Sequence, residues 1–177
     1  MGSRRPLDAW MSIPLAVSAS LSGHAASVRG IAPLTVAMDS LHILAAGGWV
    51  GGIVVLFSSF RFGTSADVLR AVRAFNAVAL TCAGIVVATG TVAAFVHIPS
   101  FFALTSSPYG TALIFKLVFV GLMLVAGAWN WKRGTPALAA GDDRAIRRGI
   151  ARELVFALGI LLVTARLVGL APPSMEH

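Results

Sequence analysis

The sequence predicts an all-α fold, an integral membrane bundle of four spanning helices preceded by a short apolar N-terminal piece, and three observations carry that expectation. Hydrophobic residues make up 57% of the 177 residues and charged residues only 12%, against about 25% charged in ordinary soluble domains. The mean hydropathy is +0.85, and the apolar residues gather in four runs of about the 20 residues that a spanning helix needs. The basic residues collect between those runs.

The formal net charge of +7 and a pI near 11.3 raise the question of nucleic acid. That partner needs basic residues gathered on a folded surface. Here they flank apolar spans, as cytoplasmic loops do under the positive-inside rule. The expected partner is therefore the lipid bilayer and no nucleic acid, and residues 1–177 read as a single membrane domain.

Trp10 to Leu21 is apolar but about half the length a span requires, so it reads as a re-entrant or short helix. No cleavable signal peptide is expected, because Pro14 interrupts the apolar stretch after Arg4 and Arg5. The first span covers about 33–57. A polar connection follows over 58–73, in which Thr64 and Asp67 have the spacing of a helix cap. The second span covers about 75–97 and ends before Pro99, which disfavours helix in its predecessor. The uncharged 98–110 loop, punctuated by Pro99, Pro108 and Gly110, leads into a third span over 111–131. After the charged segment 132–152, the fourth span runs over 150–170 and stops at Pro172-Pro173.

Two spans separate the basic loops 58–73 and 132–152, so both lie on one side of the membrane. They hold nine of the fourteen Lys and Arg residues. That side is expected to be cytoplasmic, which turns the 98–110 loop and the C-terminus outward to the periplasm.

Ionisable residues inside spans are costly and commonly mark sites. Asp39 and His42 stand three apart and share a helix face, with Trp49 further along the same stripe. His97 falls at the outer end of the second span, Lys116 in the outer half of the third, and Arg166 in the outer half of the fourth. The composite is a polar site opening outward. His42 is its foremost metal-ligand candidate, since neutral imidazole is the commonest metal ligand and a carboxylate such as Asp39 can orient it. Each residue also has a plainer reading: a core histidine bonded to a carbonyl or to Ser40, a solvated Asp39, a packing Trp49, and snorkelling for Lys116 and Arg166.

Gly47, Gly48, Gly51 and Gly52 form two interleaved G-x-x-x-G pairs suited to close helix approach. Cys82 reads as packing, and Met175 with His177 as an ordinary tail. No G-x-S-x-G, H-E-x-x-H, phosphate-binding loop or dinucleotide fingerprint occurs, so no enzyme is expected. Nitrogen ligands with few carboxylates suit copper better than magnesium or calcium.

Several motifs taken in order resemble the copper resistance D family of bacterial inner-membrane proteins. They are Ser22-Gly23-His24-Ala25-Ala26, Asp39-Ser40-Leu41-His42 leading into Trp49-Val50-Gly51-Gly52, and Pro108-Tyr109-Gly110 with Lys116-Leu117. Ala128-Trp129-Asn130, Arg152-Glu153-Leu154 and Pro172-Pro173 complete the set. The resemblance implies handling or transport of copper ions across the inner membrane beside a periplasmic copper-binding protein, with His24 and His42 as ligands. His97 matches no family position, and its candidacy rests on depth alone. Family members are often longer, so a minimal or truncated form is implied, and a second copy could complete a pathway as a homo-oligomer.

Two rivals stand beside this reading. The chain is also similar to membrane haem proteins that oxidise protoporphyrinogen. In that case His42 is an axial ligand of haem b, His97 or Lys116 its partner, and Arg166 a propionate clamp. In the other rival, an assembly partner without chemistry, the polar residues only set helix register.

Overall fold

The computed structural model describes residues 32–98 and 101–170. Among them every regular element is helical: α1 (Ala32–Phe62), α2 (Ser65–His97), α3 (Phe101–Ser106), α4 (Pro108–Trp129), a π-helical turn (Asn130–Gly134), α5 (Thr135–Ala139) and α6 (Arg144–Val168). Residues 10–21 and the Ser22–Ala26 motif lie outside the described residues.

The helices run further than the apolar segments that announce them. α1 continues through Ser58 and Ser59, where each hydroxyl donates to the carbonyl four residues back, Val54 and Val55, at 2.9 Å. The expected 58–73 connection thereby shrinks to Gly63 and Thr64. There the capping box forms: Thr64 Oγ1 accepts from the Asp67 amide and Asp67 Oδ2 from the Thr64 amide, both at 3.3 Å.

At the other end, α3 and the first residues of α4 occupy most of the expected 98–110 loop. The Ser107 hydroxyl caps α4 by accepting from Gly110 N at 2.9 Å, with Pro108 in the first turn. A Cβ on Gly110 would run into the backbone of Leu104, so this glycine lets α3 fold onto the start of α4. Beyond Trp129 the chain stays helical through the π turn and α5, then reverses at Gly141, whose φ of 91° suits glycine.

Two helix pairs make up the bundle, α1 with α2 and α4 with α6, and α1 also meets α6. Trp49, Ile53, Val72, Met123, Ile146 and Ile150 belong to one buried cluster that joins the two pairs. Large apolar side chains such as Val55, Leu80 and Phe95 stand outward at 66%, 70% and 80% exposure. Leu34–Phe62, Ala66–Phe95 and Pro108–Ala139 are long and apolar enough to cross a membrane. α6, expected as the fourth span, falls outside that group, because Arg152, Glu153 and Arg166 interrupt its apolar stretch.

The α1–α2 contact uses one of the two glycine pairs. A Cβ on Gly48 would lie 3.3 Å from Cys82 Sγ, and one on Gly52 would lie 2.6 Å from the Phe75 ring, whereas Gly47 and Gly51 have nothing within 4 Å. Cys82 therefore packs against Gly48. Lipid tails offer helices no hydrophobic reason to associate, so such close fits matter. Gly52→Ala should lower stability in detergent by ~1–3 kcal/mol through overpacking. Gly51→Ala should leave it equal or slightly higher, since Ala is the better helix former. Denaturant titration of both variants checks the contrast.

Candidate functional site

His42 sits ten residues into α1, about 15 Å along the helix, with its ring half-buried toward α2. Its Nδ1 lies 2.8 Å from Thr89 Oγ1. The Thr89 hydroxyl has a single proton, and it lies 2.7 Å from the Ile85 carbonyl, the usual acceptor for a helical threonine. Thr89 is then the acceptor toward the ring, so the imidazole Nδ1–H donates to it. In that tautomer the ring's lone pair is on Nε2, which is the state a metal ligand needs. Gly90 lies beside the ring: a Cβ there would stand 3.5 Å from Cε1.

The supporting residues divide. Lys116 of α4, half-buried, comes within electrostatic reach of both His42 and Asp39. The ion pairs formed among the described residues are Arg70–Asp67 and Arg147–Asp143, so Asp39 and Lys116 balance each other without direct contact. Asp39 was expected to orient the imidazole; it lies within electrostatic reach of the ring, whose hydrogen bonds go to Thr89 and to the backbone of Val86. Ser40, the other expected partner, donates to the Val36 carbonyl at 2.7 Å. Trp49 is 6% exposed within the core cluster, which makes it a packing residue.

Arg166 is exposed and lines a groove of about 480 Å³ between α4 and α6 with Pro108, Thr111 and Phe115. The side chain of His97, and the whole of His24, Met175 and His177, lie outside the described residues. Among those described, no group of three or more His, Cys, Asp or Glu residues gathers as a ready metal cage. The arrangement therefore supplies one oriented imidazole, a carboxylate and an ammonium group at one end of the bundle.

Sequence reasoning missed three polar residues. Thr89 hides in an apolar run, where a threonine ordinarily bonds its own helix backbone. Asn130 and Glu153 were read as part of a charged segment and a motif, yet they are 8% and 4% exposed and bonded to each other. The signal available was spacing: Glu153 follows Gly149 and Ile150 at helical intervals on the face that α6 buries.

If Thr89 holds the tautomer, Thr89→Val should shift the imidazole toward a mixture of tautomers while the fold is kept. Nitrogen-15 NMR of histidine-labelled protein reads this directly, as a change in the two ring-nitrogen shifts of His42.

The family model described as copper resistance protein D matches residues 69–167. The copper transport protein CutJ of Bacillus subtilis (strain 168) is 32% identical over 169 residues, covering 92% of this chain. The chain spans 30% of the length of that relative. No solved structure matches. On the match of the family model and the identity with this relative, the chain belongs to the copper resistance protein D family.

Proposed function

We propose that the protein handles copper ions, as substrate, at the bacterial inner membrane and helps move them across it through a site centred on His42. The observation that carries this reading is the imidazole held by Thr89 inside a long apolar helix, in a chain of a copper family. α6 completes the membrane part as a fourth span. The basic segments 58–73 and 132–152, which contain the turns at 63–64 and 140–143, then face the cytoplasm, and the His42 end opens to the periplasm. His24 supplies a further nitrogen from the periplasmic surface, where a copper-binding protein can deliver the ion.

The charges near His42 bear on the oxidation state. Repulsion from Lys116 scales with the charge of the ion, so Cu(I) suffers half the penalty of Cu(II), and Asp39 offsets much of what remains. Imidazole suits copper among the transition metals. The longer CutJ relative is named as a copper transport protein, which agrees with transport as the role of the shared region.

His42→Ala should lose copper from the purified protein, by tenfold or more in stoichiometry at limiting copper, with helical circular dichroism retained. Cys82→Ser should keep the copper content of the unaltered protein, because Cys82 packs against Gly48. Unchanged copper in the His42 variant would remove His42 from the site.

A further inference from the structure

A second polar contact joins the helices at the other end of the bundle, away from His42. Asn130 opens the π turn, and its Nδ2 donates to Glu153 Oε1 of α6 at 2.5 Å. Both residues are more than nine-tenths buried. Asn130 Oδ1 is also buried and has no hydrogen-bond partner. The site is built around this amide: a Cβ on Gly149 would collide with it, and one on Gly134 would lie 3.2 Å from Oδ1. Single π turns are frequent at functional sites.

No cation pairs with the Glu153 carboxyl among the described residues. On α6, Arg152 is exposed and within electrostatic reach, but its Nε turns to the Arg148 carbonyl. Arg147 is taken up by Asp143 and by the Phe60 carbonyl of α1. On the π turn, Lys132 and Arg133 are exposed, and Arg133 lies over the Trp129 ring. Arg61 at the end of α1 is exposed, and α5 has no titratable residue. Along α4 the nearest titratable group is Lys116, about 21 Å back from Asn130.

An ionised carboxylate only accepts hydrogen bonds, so it has nothing to give Oδ1. A protonated carboxyl has one O–H donor. Facing a primary amide it donates that proton to Oδ1 while its carbonyl accepts from Nδ2, and both buried polar groups are then satisfied. A buried carboxylate that no cation pairs is also costly.

We propose that Glu153 is a proton-binding site buried between α4 and α6, with Asn130 as its positioning residue. In the closed bundle Glu153 carries a proton taken from water; the one bond made is O–H, and no electron moves. Release returns the proton to water and strips Oδ1 of its donor, so it is favoured only when α4 and α6 part enough for water to reach the amide. The site thereby ties proton release to opening of that helix pair, independently of what His42 binds.

Infrared spectra of the detergent-purified full chain, labelled with carbon-13 glutamate, test this. The sequence holds two glutamates, Glu153 and Glu176, so the label isolates few carboxyls. A labelled carboxylic-acid carbonyl band should persist at neutral pH, shift in heavy water, remain in Glu176→Gln and vanish in Glu153→Gln. Asn130→Leu should shift the band by removing its partner. A spectrum at neutral pH with both glutamates as carboxylates would overturn the proposal, as would a band that vanishes only in Glu176→Gln. These readings on Glu176→Gln stand even if Glu153→Gln fails to fold.

Discussion

A polar side chain buried between helices has to find its partner inside the protein, because neither lipid nor water reaches it there. This constraint explains how the two helix pairs are held. His42 on α1 meets Thr89 on α2, and Asn130 after α4 meets Glu153 on α6. Each contact ties one pair together. Interhelical hydrogen bonds in membranes average only about 0.6 kcal/mol, so neither bond holds the bundle by its strength. Their role is register: a slip of one residue in either pair would leave a buried polar group without a partner.

Close packing does the remaining work, and it is asymmetric. Gly48 and Gly52 bring α1 against Cys82 and Phe75, and Gly159 makes room for Phe119 between α6 and α4. The buried cluster of Trp49, Ile53, Met123 and Ile150 then closes the space between the pairs. At the basic end, Arg147 reaches the Phe60 carbonyl and lies 4.7 Å from the centre of the Phe60 ring, which fastens the start of α6 to the end of α1.

Much of this was legible in the sequence, for reasons that differ by residue. Composition and the apolar runs announced a helical membrane protein, and the Thr64–Asp67 spacing announced its cap, because both are local properties. The Asp39–His42 face could be read from helical period. Helix ends could not, since Ser58 and Ser59 satisfy themselves on their own backbone and extend α1 beyond its apolar core. Nor could the choice between two equivalent glycine pairs, which depends on where Phe75 and Cys82 of another helix fall. Thr89 and the Asn130–Glu153 contact were invisible for the same reason: their meaning comes from a partner on another element, 47 and 23 residues away in sequence. Membership of the copper resistance protein D family was legible because an ordered set of short motifs resembles it, and the family model matches residues 69–167.

The central claim is that the ion held at His42 is copper. It is tested most directly by an absorption spectrum of the detergent-purified protein, with copper and iron determined on the same sample. The account predicts copper near one per chain and no Soret band. A Soret band with iron at matching stoichiometry would contradict it and assign His42 to a haem.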